Sequence, residues 1–277
     1  WNCDGNGRPL VVPEGHVVHR QAAELNKLFA KQTVGVTSPQ GRFSVSAKSV
    51  NGSVLRRAQA FDKHLFINFE NDKVIHVHLG LYGKWSFLNR TPEPVGLIRL
   101  QIATEEFCAQ LRGPNACTLI TPGEVKTLKA KIGPDPIRKD DPSIARAKVL
   151  GSVTPIGVLL MDQTLFAGVG NIYRAEALFR AGVNPLTPGK DLQPDQFDQM
   201  WSDLVSLMKK GVRSGRIDTV RPEHMPKAMK RAARDDRHGG EVYVYRRSGL
   251  ACFICSSEVA ESDMRGRNLF WCPKCQK

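Results

Sequence analysis

Two cysteine pairs near the end of the chain have the spacing of a metal site. Cys252-Phe-Ile-Cys255 is followed, sixteen residues on, by Cys272-Pro-Lys-Cys275. A Cys-x-x-Cys segment folds as a tight knuckle that aims two thiolates at one point. Two knuckles on a short hairpin supply the four sulfurs of a tetrahedral Zn2+ site. The other reading is two disulfides. It is disfavoured because no stretch of the sequence reads as a secretory signal, and Cys3, Cys108 and Cys117 have no partner spacing. With sulfur at all four positions, one structural zinc leaves no open coordination position for chemistry. Its task is to hold a hairpin, residues 264–271, that carries Arg265 and Arg267.

The charge balance points to what such a hairpin meets. The formal net charge is +13 and the isoelectric point about 9.6. A surplus of that size calls for a polyanion, and nucleic acid is the first candidate. From Lys209 to Arg247, twelve Lys/Arg stand against five Asp/Glu, which is more than half of the surplus in one segment. A plain solvated face is the competing explanation, and it weakens beside a hairpin with two arginines. No run of about 18 apolar residues is present, so no membrane partner is expected. The 277 residues have room for two domains and a small module, and 41% hydrophobic residues suffice for ordinary cores.

Elements that position these groups are readable in outline. Val18, Ala22, Leu25, Leu28 and Phe29 recur at helical spacing over residues 15–30. From residue 32 to about 120, short strands alternate with turn residues. Residues 64–69 and 74–79 read as a hairpin around 70–73, and residues 98–102 and 107–111 as a second pair. This half is expected to be a β-sandwich with one leading helix. After a break at 131–136, helices are expected at 156–161 behind Pro155, at 172–181 before Gly182, and at 197–210. The loop from Asp162 to Asn171 contains Gly168 and Gly170, and a loop of this kind ahead of a helix offers backbone N–H groups to an anion. A simple interhelical turn fits it as well. Residues 212–240 read as a basic, irregular linker. The fold class is α+β.

The start of the sequence is unusual. It opens on Trp1, and the first methionine is Met161. Residues 1–11 are read as upstream sequence translated in frame. Val12 is then a GTG start codon, and Pro13 the first residue of the mature protein once the initiating methionine is removed. A genuine leader or a truncated sequence is the alternative.

With these pieces in order, the chain resembles the formamidopyrimidine-DNA glycosylase and endonuclease VIII family of base-excision repair enzymes. The matching segments span essentially all of residues 12–277. Pro13-Glu14-Gly15-His16 is similar to the family's processed N-terminus, and Lys63-His64-Leu65 to its β-sandwich lysine motif. Gly168-Val-Gly-Asn-Ile-Tyr173 is similar to the loop of its helix–two-turns–helix motif. Arg267, five residues before Cys272, is similar to the arginine of its zinc-finger hairpin. The Pro-Glu-Gly start and the run from Leu79 to Trp85 resemble the endonuclease VIII branch, especially its endonuclease VIII 1 members. The chain departs from better-known members at Gly80, where they have Gln.

The resemblance implies a leading segment 1–11, a catalytic β-sandwich over 12–125, a helix–two-turns–helix domain with a basic linker over 130–240, and a zinc finger over 242–277. It implies a bifunctional glycosylase and abasic-site lyase that removes oxidised pyrimidines from damaged duplex DNA. The DNA lies in a basic cleft between the sandwich and the helical–zinc half. The protein is expected to be a monomer, in the cytoplasm and at the nucleoid of a prokaryote. Pro13 is the implied amine nucleophile, Glu14 the general acid/base and Lys63 a phosphate contact that assists proton transfer. Asn171 and Arg267, with the backbone of Gly168 and Gly170, grip phosphates. Leu81, then Arg112, fill the gap left by the flipped base. Each has a plainer reading: Pro13 as a first-turn proline, Glu14 as an acid placed by the helix dipole, Lys63 as an exposed strand-edge lysine. The five histidines 16, 19, 64, 76 and 78 read as structural or DNA-facing, since no acidic cluster joins them into a metal site. Two rival functions remain. One is an oxidised-purine glycosylase. The other is a non-catalytic DNA-binding protein, which follows if residues 1–11 stay attached and Pro13 is an amide.

Overall fold

The computed structural model describes residues 13–235 and 240–277. The expected leader, residues 1–11, and the Val12 start lie outside the described residues, as does Cys3. The chain divides into two compact units, with the boundary between Lys131 and Ile132.

The first unit opens with helix α1, Gly15–Phe29. Its apolar stripe is the one the periodicity predicts: Val18, Ala22, Leu25, Leu28 and Phe29 are all buried. Eight strands follow in antiparallel pairs: β1 Gln32–Thr37, β2 Ser53–Phe61, β3 His64–Phe69, β4 Val74–His78, β5 Lys84–Asn89, β6 Ile98–Ala103, β7 Phe107–Arg112 and β8 Ala116–Ile120. A short helix α2, Ser44–Lys48, precedes β2, and α3, Pro122–Lys129, follows β8. The ladder runs β5-β7-β6-β1-β2-β3-β4-β8.

Strand β1 belongs to two layers. Gln32 to Val34 pair with β2, whereas Gly35 to Thr37 pair with β6. Where the partner changes, the Val36 amide donates to Asn51 Oδ1 at 2.8 Å, so its N–H is not stranded. Leu65, Ile67, Ile75 and Val77 from one layer share a core with Trp85, Leu100, Ile102 and Leu111 from the other. This is the expected sandwich. Helix α1 is pinned to it by the Asn26 amide, which donates to Ala58 O at 2.8 Å and accepts from Ala58 N at 2.7 Å.

Helix α3 is an element the periodicity analysis leaves out. Its signal is local: Thr121 and Glu124 form a reciprocal capping box ahead of Pro122 and Val125. Val125 packs with Phe66 and Val74 in a second small cluster. Strand β3 therefore supplies side chains to two cores, which explains why its sequence does not alternate cleanly.

The second unit comprises α4 Ser143–Leu150, α5 Ile156–Leu159, α6 Asn171–Ala181, α7 Pro194–Ser214 and α8 Pro226–Met229, then a hairpin of β9 Ala260–Asp263 and β10 Asn268–Trp271. Helix α6 ends at Gly182 in the left-handed conformation, φ 67°, as the glycine signal predicts. Two expectations need correction. Helix α7 runs four residues past the predicted end, because Leu207, Met208 and Gly211 continue its buried face. The segment expected to be an irregular linker also holds the end of α7 and the single turn α8, both started by Pro at N1 or N2. Leu178, Phe197, Leu204 and Tyr243 share one core with Cys252 and Cys272, so the cysteine hairpin is built into the helical body. Among the described residues, no helix is long and apolar enough to cross a membrane.

Candidate functional site

In the first unit, Pro13 stands half-buried immediately before α1. Glu14 is the N-cap residue, with 1% of its surface exposed. Its side chain does not cap the helix, although the first turn of a helix is where a carboxylate is best tolerated. Lys63 occupies the two-residue turn between β2 and β3, after Asp62 at φ 57°, and is half-buried. It is not a strand-edge lysine.

Beside Lys63 lies a feature that sequence reading missed as a unit. His64 and His76 share a 2.8 Å hydrogen bond, and the His64 ring lies 5.1 Å from that of His76 and 5.0 Å from that of His78. Asp62 Oδ2 is 3.8 Å from His64 Nε2. Burial is the main force holding all three imidazoles below the ordinary value. Lys63 adds to it for His64 and His78, while Asp62 opposes it at His78. The neighbouring imidazoles take His76 down to about 4. The cluster is therefore neutral near pH 7. As pH falls below 6.5 the unfolded chain takes up a proton at His76 that the folded chain refuses until about pH 4. Stability should drop through that window. Urea unfolding at pH 8 and pH 5 should show His76→Gln losing about 2 kcal/mol less than wild type between the two. Equal losses would show that His76 is not the titrating group.

The turn after β4 places Leu81 and Tyr82 at an exposed tip. Asn115 N donates to Leu79 O at 3.2 Å, so this turn meets the one that follows β7. Gly80 has φ +65°, and a Cβ there would lie 2.7 Å from Asn115 Cβ. The departure at this position thus has a local cause: any side chain would clash. Arg112 is committed to its neighbours, donating to Gln110 Oε1 at 2.7 Å and Val95 O at 3.2 Å.

In the second unit the loop before α6 is braced by Gln163. Its amide donates to Met161 O at 2.9 Å and Val169 O at 3.0 Å, and accepts from Gly168 N at 3.1 Å. Gly168 has φ +78°, a conformation that favours glycine. Gly170 is the extended N-cap of α6, and Asn171 is its first residue.

Asn171 Nδ2 donates to Asn268 O at 2.9 Å. The amide is brought next to the strand that follows Arg267, which is exposed at the mouth of the hairpin. Arg174, one turn along α6 and only 1% exposed, donates to Asn268 O at 3.0 Å and to Asn171 Oδ1. The sequence offered one clue to Arg174 and to Glu176: two charges among the apolar residues of the first two turns of a helix. Glu176 is fully buried. It accepts from the amides of Tyr243, Val244 and Tyr245 at 2.7, 2.9 and 3.0 Å and from the Thr219 hydroxyl at 2.5 Å. It fixes the backbone that leads into the first knuckle.

The hairpin turns through Arg265 and Gly266, both at positive φ, with Met264 and Arg267 exchanging backbone hydrogen bonds. The four cysteine sulfurs lie within 4.8 Å of one another. Cys252 and Cys275 are 3.9 Å apart, Cys255 and Cys272 3.4 Å. A disulfide needs about 2.05 Å, whereas four thiolates at about 2.3 Å from one ion stand roughly 3.8 Å apart. The donors therefore fit a tetrahedral metal. Burial would raise the Cys255 thiol, but hydrogen bonds from Ser257 and the neighbouring thiols hold it at about 6. Gln276 ties the second knuckle to the helices, accepting from Cys272 N at 2.8 Å and donating to Val183 O at 2.9 Å.

A sandwich led by a helix with an acid at its cap, and a Gly-x-Gly-Asn helix locked to a hairpin of four cysteines, together define one class. The chain belongs to the formamidopyrimidine-DNA glycosylase family, whose N-terminal domain model matches residues 12–115 and whose H2TH domain model matches residues 132–222. Within it, the chain is 47% identical over 274 residues to Endonuclease 8 1 of Mycobacterium tuberculosis strain H37Rv, covering 96% of this chain and 100% of that one. It is 31% identical over 210 residues to formamidopyrimidine-DNA glycosylase of Prochlorococcus marinus strain MIT 9313, covering 73% and 70%. The fold matches that of Lactococcus lactis Fpg, solved in complex with DNA containing an abasic site, with a TM-score of 0.78 at 23% identity over 95% of this chain and 99% of that one.

Proposed function

We propose that the chain excises oxidised pyrimidines from duplex DNA and then cleaves the strand, with Pro13 as nucleophile. The observation that carries this reading is the placement of Pro13 and Glu14. The family match begins at residue 12, one residue ahead of a proline whose neighbour is a buried carboxyl at a helix N-terminus.

In this reading the Pro13 nitrogen attacks C1′ of the damaged nucleotide. The C1′–N bond to the base breaks, and the base leaves with its electron pair and the proton from the Pro13 nitrogen. The C1′–O4′ bond then opens as the ring oxygen is protonated, the nitrogen lone pair fills in, and an iminium remains. The iminium acidifies the C2′ hydrogen. Its removal expels the 3′ phosphate by β-elimination, and water later releases the sugar remnant from Pro13. Glu14 delivers the proton to the sugar ring oxygen and takes the one from C2′. Lys63 holds the phosphate beside the lesion. Asn171, Arg267 and the Gly168–Gly170 backbone hold phosphates around the extruded nucleotide. Leu81 fills the gap in the stack, with Tyr82 exposed beside it. Arg112, which donates to Gln110 Oε1 and Val95 O, is the second candidate for that gap. The protein is assigned as a monomer, in the cytoplasm of a prokaryotic cell.

Zinc is the metal assigned to Cys252, Cys255, Cys272 and Cys275, where it would act as a staple. Metal analysis of protein purified under reducing, chelator-free conditions should find about one equivalent of zinc. Cys272→Ser should lose it and bind DNA more weakly, while the sandwich stays folded. A wild type without zinc would remove this assignment.

The test of substrate is a comparison of two duplexes, one with an oxidised pyrimidine and one with an oxidised purine, at matched sequence. Faster strand cleavage of the pyrimidine duplex is expected. Faster cleavage of the purine duplex would reassign the substrate.

A further inference from the structure

The second unit contains a cavity of about 350 Å³ that none of the roles above uses. Arg231, Arg234, Arg246 and Arg247 line it with Phe253, and Asp235 is the one acidic residue of its lining among the described residues. Three of the arginines hold the surrounding backbone. Arg231 pairs with Glu241 at 2.7 Å and donates to His224 O at 3.1 Å. Arg234 donates to Tyr245 O at 3.1 Å, and Arg247 to Ala251 O at 2.7 Å. Arg231 and Arg247 flank the Phe253 ring, 3.9 and 3.5 Å from its centroid.

Arg246 differs from these three. Its guanidinium has no hydrogen bond and no carboxylate partner among the described residues, and its nearest ring, that of Tyr245, is 5.4 Å away. Its backbone is left-handed, at φ 53°. That conformation costs a residue with a side chain roughly 1 kcal/mol, which glycine would not bear. A strained position keeps a long charged side chain whose five donors are unspent.

We infer that this cavity is a binding site for a phosphate group, closed by the Arg246 fork. A tetrahedral phosphate accepts from several converging guanidiniums at once, which a single carboxylate does less well. The phosphate has two possible sources: a phosphodiester of the bound duplex or a free phosphate-bearing small molecule. The duplex source rests on the DNA reading above, and the free source does not.

The test uses full-length zinc-loaded protein and the Arg246→Gly variant, which removes the charge and relieves the backbone. Equal zinc content and an equal or higher melting temperature will show that it folds. Inorganic phosphate, compared with chloride at matched ionic strength, should stabilise wild type, and Arg246→Gly should bind it roughly tenfold more weakly. Salt dependence of duplex binding separates the sources. If the duplex supplies the phosphate, the slope of log K against log salt should be shallower by about one unit in Arg246→Gly. An unchanged slope with a weakened phosphate response assigns the site to a small molecule. A variant that matches wild type in both measurements overturns the proposal. Covalent trapping on abasic DNA reads Pro13 chemistry independently, so its failure would not be mistaken for failure here.

Discussion

Protein that begins at Pro13 should be captured covalently on abasic duplex DNA by borohydride, and protein that retains residues 1–12 should not. The difference is one of nitrogen chemistry. A free chain end near the ordinary α-amino value of 7.7–8.0 is roughly a quarter to two-fifths neutral at pH 7.5, whereas an ordinary lysine near 10.4 is only about 0.1% neutral. A chain that starts at Pro13 thus has a usable lone pair without burying an amine. With residue 12 attached, the same nitrogen is a tertiary amide and cannot attack C1′. Loss of the nucleophile should lower trapping by at least about a hundredfold, while binding to undamaged duplex changes little. The trimmed and extended proteins should be compared at equal zinc content. Equal trapping by both would make Lys63 or another amine the nucleophile and would sink the N-terminal mechanism.

Glu14→Gln should abolish most base removal while leaving DNA affinity nearly intact. Glutamine keeps the size of the side chain and much of its hydrogen bonding but cannot deliver or accept a proton in the same way. General acid/base catalysis contributes about 10²- to 10⁴-fold, and a loss in that range is expected for release of an oxidised base. The substitution keeps the side-chain volume, so it leaves no cavity. Melting temperature and single-turnover release should be measured on the same preparation. Activity within about threefold of wild type would remove Glu14 from the catalytic role.

What could be read from the sequence was local. The cysteine knuckles are legible because two i, i+3 thiol pairs define a site almost by themselves. Helix α1 is legible because five apolar residues keep one period, and the β3–β4 hairpin because two strand-like runs flank a four-residue turn. What was missed depends on partners distant in sequence. Glu176 satisfies three amides 67 to 69 residues away, and nothing near it in the chain announces them. Arg174 meets Asn268, 94 residues on. The histidine cluster forms only when β3 and β4 align His64 with His78 and Phe66 with His76. Helix α3 is a different case. Its Thr121-x-x-Glu124 box was present to be read, but eight residues give too short an apolar stripe for periodicity to find.

The Arg174–Asn171 contact has a consequence for the kind of group that can approach the end of α6. A free carboxamide is two-faced and can rotate to show either an acceptor or a donor. Here the acceptor end is sealed by a buried cation, and turning it would set the NH2 group against the guanidinium. One N–H is spent on Asn268 O, so a single hydrogen is left to offer, and the side chain works as a one-way polarity filter. It is indifferent to hydroxyls and amines that come as donors, and receptive to any oxygen that carries negative charge.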